Sequence, residues 1–281
     1  MTVAVVFGAG GVAGIAWEAG MVLGLQQAGV DLYTADLVVG TSAGSIVGSH
    51  VASRSDLRTL LERQESRAAG APAAPPPDLD TVLAALAPLF DAELDPLTAR
   101  RRVGAAAVTA PAGDEAAHIR RITALLPAHQ EWPQRRLLVA SVDTGTGELA
   151  VWHRDSGVPL PRAVAASCAV PGVYPPVTIG GHRYMDGGIR SATNADLAEG
   201  ASTVIVLNAI GHLVPTGSLE AELAKVGAAR TWVVSPDARA AEAMGANVLD
   251  AATWAPALAA GLAQAESCAE AAGAVWSPAP G

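Results

Sequence analysis

Short aliphatic blocks and helical stripes alternate from the start of the chain. Residues 3–7, Val-Ala-Val-Val-Phe, form a β-branched run that stops at Gly8-Ala9-Gly10-Gly11. Apolar residues then recur at Val12, Ile15, Ala16, Ala19, Val22 and Leu23, the spacing of one helical face, with Gly29 placed to cap the helix. A second run, Leu37-Val38-Val39, ends abruptly at Gly40-Thr41-Ser42-Ala43-Gly44, and Ile46, Val47, His50 and Val51 start another helix. Strand, glycine turn and helix, twice over, predict the opening of a parallel α/β sheet.

The pattern changes over residues 70–113. Pro72, Pro75, Pro76 and Pro77 break any helix, after which Leu79, Val82, Leu83, Leu86 and Leu89 restore a helical stripe. This predicts a helical insertion, either packed on the surface or forming a lid or acyl-chain wall. Strands are predicted at Arg136–Ser141 and Leu149–His153 around the turn 144–147, and a short helix at Pro161–Ala166. A hairpin follows from Val177–Ile179 to His182–Tyr184 across Gly180-Gly181. Thr203–Leu207 and Thr231–Val234 read as further buried strands, and the chain from Ala251 as an alanine-rich helix. With no internal repeat and no clear linker, residues 1–281 are expected to form one domain, a three-layer α/β/α arrangement around a mainly parallel sheet.

Composition trims the functional choices. Hydrophobic residues make up 51% of the 281 residues, much of it alanine, and no run reaches the roughly 18 apolar residues of a membrane helix. The N-terminus lacks a basic region before its apolar run, so it reads as a strand rather than a signal peptide and implies a cytoplasmic protein. A net charge of −9 without blocks of like charge argues against nucleic acid and against electrostatic adhesion to anionic membranes. A lipid substrate would therefore be met by transient membrane-surface contact through apolar residues. The two cysteines, Cys168 and Cys268, make neither a disulfide framework nor a zinc site, and both are expected as buried or semi-buried thiols.

Three motifs carry candidate chemistry. Gly40-Thr41-Ser42-Ala43-Gly44 is a G-x-S-x-G between a strand and a helix. Such a tight turn exposes the serine Oγ while its glycines let neighbouring backbone approach. Gly8-Ala9-Gly10-Gly11-Val12-Ala13-Gly14 opens the first helix and presents backbone amides unobstructed by side chains. That loop suits an oxyanion hole, a nucleotide phosphate or a plain turn. A dinucleotide site wants an acid ending the second strand, whereas Asp31 precedes that strand and its end carries Ser42. Asp186-Gly187-Gly188 places an acid on a tight turn after an extended segment.

Taken in order, the glycine loop, the Gly40–Gly44 elbow, Ala166-Ser167-Cys168-Ala169-Val170-Pro171-Gly172 and Asp186-Gly187-Gly188 resemble the patatin-like phospholipases. The resemblance covers residues 3–54 and 136–200. It implies the patatin-like α/β/α fold and an acyl hydrolase acting on an acyl-ester or lipid substrate without a cofactor. It also implies a Ser42–Asp186 dyad, with backbone amides of Gly10, Gly11 and Val12 as the oxyanion hole. Gly8, Gly14, Gly40, Gly44, Gly187 and Gly188 support those turns. A carboxylate serving as base predicts partly apolar surroundings that raise the Asp186 pKa. One position departs from the family: Ala13 stands where a basic residue is usual. That change favours a general esterase or lysophospholipase over an enzyme for a charged phospholipid head group.

Two other readings compete. A Ser-His-Asp triad would recruit His212, which follows Asp186, or His182 on the hairpin before it, although α/β-hydrolases carry their serine elbow deeper in the chain. A non-catalytic lipid- or nucleotide-binding module would keep the fold without needing both Ser42 and Asp186.

Overall fold

The computed structural model describes residues 2–70, 76–210, 213 and 219–276. Pro72, Pro75 and His212 lie outside them. Eight strands form one sheet: β1 (Val3–Phe7), β2 (Leu37–Thr41), β3 (Arg136–Asp143), β4 (Leu149–Trp152), β5 (Val177–Ile179), β6 (His182–Asp186), β7 (Thr203–Leu207) and β8 (Arg230–Val234). In space the order is β5-β6-β3-β2-β1-β7-β8, with β4 paired to β3. The five strands β3-β2-β1-β7-β8 run parallel, whereas β4 and β6 pair antiparallel with β3, and β5 with β6.

The helices described are α1 (Gly11–Gln27), α2 (Ala43–Ser53), α3 (Leu57–Gly70), α4 (Leu79–Leu86), α5 (Pro96–Thr109), α6 (Glu115–Thr123), α7 (Leu160–Ser167), α8 (Leu219–Val226), α9 (Ala238–Met244) and α10 (Trp254–Trp276). Because β1 is covered on both faces, its side chains are apolar in succession rather than alternating with polar ones. Val5 and Phe7 face a large cluster with α1, α2, α7 and α10, while Ala4 and Val6 face a lighter layer made by α8 and the turn at residues 195–198. A third cluster joins Val103 and Ala107 of α5 to Val142, Met185 and Ile189, with Leu86 and Leu89 against it. The helices around residues 79–109 therefore rest on the strand that ends at Asp186.

Two expectations change. The α1 stripe predicted one buried face, yet every residue from Ala13 to Leu25 is buried. Small residues allow this: a Cβ on Gly20 would lie 2.6 Å from Leu258 O, and one on Gly261 only 2.4 Å from Trp17 O. The α1 and α10 backbones thus meet directly, and Trp17 Nε1 donates to Gln264 Oε1 at 2.9 Å. Thr231–Val234, expected as a buried strand, lies in β8, the end strand of the sheet, where Thr231 and Val233 are exposed.

Candidate active site

The parallel register places Phe7 beside Gly40, so the chain leaves β1 and β2 at the same edge of the sheet. There the two glycine turns interlock. Gly44 N–H donates to Gly8 O at 2.9 Å, and a Cβ on Gly44 would fall 2.2 Å from Phe7 O. Only glycine fits a helix start pressed this closely on a strand. Gly40 is similarly constrained, since its Cβ would lie 2.5 Å from Ser45 Cα.

Between these glycines Ser42 adopts φ 52° and ψ −119°, a conformation that L-residues avoid. It is the N-cap of α2, but its side chain does not cap the helix. The hydroxyl instead donates to Asp186 Oδ2 at 2.6 Å. Both residues are nearly enclosed, with Ser42 5% and Asp186 4% exposed.

Asp186 is the last residue of β6, which runs two residues past Tyr184, where the strand was expected to stop. Its Oδ1 accepts the Gly188 N–H at 2.7 Å, and a Cβ on Gly187 would lie 2.4 Å from Ala140 O. The two glycines let the turn close around the carboxylate and against β3. Burial pushes the Asp186 carboxyl up to about 7, against the smaller stabilising effect of the Ser42 hydroxyl and Gly188 amide. Its surroundings thus make Asp186 a stronger base than an exposed carboxylate, the direction expected for it.

The first glycine loop lies alongside. Gly8 and Ala9 amides donate to Leu207 O and Ala192 O, Ala13 N–H to Val248 O, and Gly14 N–H to Gly10 O. The amides of Gly10, Gly11 and Val12, at the start of α1, have no protein acceptor among the described residues. Gly11 requires its freedom, since its φ is +59° and a Cβ would approach Val248 O to 2.7 Å. Ala13 is fully buried, so the position where a basic residue is usual in the resembling family is packed inward.

Ser167 lies in the Ala166–Gly172 stretch, but neither it nor Ser45 or Asn194 carries a role that the sequence shows. Ser167 Oγ accepts the Ser42 N–H at 2.8 Å, and Ser45 Oγ donates to Ser42 O at 2.6 Å. Asn194, buried at φ 50°, donates from Nδ2 to Thr41 Oγ1, Gly187 O and Ser191 O. It pins the end of β2 to the turn after Asp186. Asn tolerates a positive φ better than most residues, which is the faint signal the sequence offered.

The model of the patatin-like phospholipases matches residues 5–199, a span that contains the glycine loop, Ser42 and Asp186. The chain belongs to the patatin-like phospholipase family. It is also similar to solved structures. VipD from Legionella pneumophila is 16% identical with a TM-score of 0.36, covering 74% of this chain and 50% of that one. The type III effector protein ExoU is 19% identical with a TM-score of 0.32, covering 94% of this chain and 53% of that one. The chain therefore spans about half the length of each. No curated protein matches it.

Three of the described histidines, His50, His118 and His182, are engaged away from the pair. His182 bonds through Nδ1 to Asp143 Oδ2 at 2.9 Å, not to Asp186. His50 and His118 are buried with their Nε2 on Leu125 O and Ala165 O, and burial pushes both down to about 4. Asp31, the acid weighed for a nucleotide ribose, accepts the Tyr33 N–H and caps a short turn before β2. Cys168 is buried and Cys268 partly so, both as free thiols. No described helix is long and apolar enough to cross a membrane.

Proposed function

We propose that the chain is a serine acyl-ester hydrolase in which Ser42 is the nucleophile and Asp186 its single acid–base partner. The observation that carries this reading is the 2.6 Å contact between Ser42 Oγ and Asp186 Oδ2 in a nearly enclosed site. Asp186 takes the Ser42 proton as the Oγ attacks the acyl carbonyl, then returns it to the departing alcohol. Water, deprotonated by the same carboxylate, attacks the acyl-enzyme; the acyl–Oγ bond breaks, Asp186 returns the proton to Ser42 Oγ, and the acid is released. The unpaired amides of Gly10, Gly11 and Val12 support an oxyanion hole, in which each donor is worth about 2.7–4 kcal/mol.

Family membership supports a lipid-like acyl ester as substrate. The buried Ala13 supports a neutral ester over a substrate bound through an anionic phosphate head group, because no basic chain is offered from the loop. Hydrolysis of p-nitrophenyl esters and lysophospholipids, measured across pH, tests the reading. Asp186 acts as base only when ionised, so kcat/KM is expected to rise about tenfold per pH unit at low pH and to level off near 7. A limb near 4 would show that burial does not raise the base, and a limb that is unchanged in Asp186→Asn would defeat Asp186 in that role.

A further inference from the structure

The stretch Ala166–Gly172 stands out in the sequence but takes no part in the chemistry above. Three consecutive residues of it nevertheless touch both halves of the reacting pair. Ser167, the fully buried last residue of α7, accepts the Ser42 N–H at 2.8 Å. Cys168 donates its thiol to Ser42 O at 3.2 Å. Ala169 O accepts the Asp186 N–H at 3.0 Å. Ser42 and Asp186 stand 144 residues apart in the chain, and this short segment ties one to the other.

From this geometry we infer that residues 167–169 set the spacing of Ser42 and Asp186, and that Ser167 is a positioning residue for the nucleophile. The inference rests on the Ser42–Asp186 reading. Its core is the strained backbone at Ser42, since such conformations persist only where the surroundings over-determine them. The Ser42 carbonyl has three donors: Ser45 N at 2.9 Å, Ser45 Oγ at 2.6 Å and Cys168 Sγ at 3.2 Å. Removal of one leaves the others in place. The Ser42 N–H has a single acceptor among the described residues, Ser167 Oγ. Without it a buried amide is left unpaired, and rotation of the elbow toward another acceptor relieves that penalty. The same rotation carries Ser42 Oγ off the line to Asp186. The two neighbours are therefore unequal: Ser167 governs the position of the nucleophile, while Cys168 shares its task with Ser45.

Steady-state kinetics on a short-chain p-nitrophenyl ester test this, with circular dichroism confirming that each variant is folded. Ser167→Ala is expected to lose about 100-fold in kcat with KM within about twofold of the unaltered protein. Ser167→Thr, which keeps the accepting oxygen, is expected to restore most of that loss, and Cys168→Ala to lose about threefold. If Ser167→Ala does not fold, Ser167→Cys keeps the volume with a weaker acceptor and is expected to lose about tenfold in kcat. A folded Ser167→Ala with kcat within about threefold, or with its loss confined to KM, overturns the positioning role. Failure of the dyad reading looks different: an organophosphate would then leave Ser42 of the unaltered chain unlabelled.

Discussion

Asp186→Asn is expected to lose about 10²- to 10⁴-fold in kcat, the usual worth of a positioned general base, and at the same time to raise the unfolding temperature at pH 8. The two effects share one cause. Burial raises the Asp186 pKa from its ordinary value of 3.8 to about 7. Between those values the folded protein holds a proton that the unfolded chain has released. Stability from this group is therefore greatest below pH 4, falls as pH rises through the window, and is lowest above 7. The cost at pH 8 is on the order of 4 kcal/mol, from about three pKa units at 1.36 kcal/mol each. Asparagine carries no charge to bury, and it retains an oxygen for the Gly188 amide and an NH₂ group for the Ser42 oxygen. Thermal unfolding of both proteins at pH 4 and pH 8 checks this. The melting temperature of the variant relative to the unaltered chain is expected to be clearly higher at pH 8 than at pH 4. Equal differences at the two pH values would mean that the carboxylate is not destabilised in the fold.

Gly44→Ala is expected to produce the largest loss of stability of any single methyl addition near the site. The new Cβ would stand 2.2 Å from Phe7 O, 2.3 Å from Phe7 C and 2.6 Å from Phe7 Cβ, and two of these three atoms are backbone of the central strand β1. No side-chain rotation relieves such a contact, so α2 must lift from the sheet. That breaks the Gly44 N–H to Gly8 O bond and moves Ser42, the residue just before α2. Overpacking of this kind costs about 3 kcal/mol or more. For a domain of this size that is roughly a 10 °C fall in melting temperature. Activity is expected to fall further than stability, because Ser42, the proposed nucleophile, is displaced even in molecules that remain folded. Urea denaturation and kcat, measured on the same preparation, separate the two. A variant with native stability and native kcat would show that the elbow does not depend on this close approach.

Much of this architecture was legible because its causes are local. The runs at residues 3–7 and 37–39 form strands because they are buried on both faces, and glycine follows each where the backbones must touch. Ser42 stands out as a candidate from the strand, turn and helix around it, and Asp186 only in combination with the other motifs, because Asp-Gly turns are common. The remainder is set by partners distant in the chain. The β8 strand reads as buried by composition, but its place at the end of the sheet is a property of strand order. The complete burial of α1 depends on α10, more than 200 residues further on, packing against Gly20 and Gly24. Ser167 and Asn194 reach their partners across 125 and 153 residues, and no spacing rule links such positions in advance. The pKa of Asp186 was anticipated in direction from the chemistry required of it, while its cause, near-complete enclosure, belongs to the assembled fold.

The claim on which the rest depends is that Ser42 is a nucleophile activated by Asp186. An organophosphate probe followed by peptide mass spectrometry tests it directly. One adduct is expected on the peptide carrying Ser42, absent in Ser42→Ala and formed at least about 100-fold more slowly in Asp186→Asn. An unlabelled Ser42 in the folded, unaltered chain, or labelling that proceeds at the same rate without Asp186, would contradict the account.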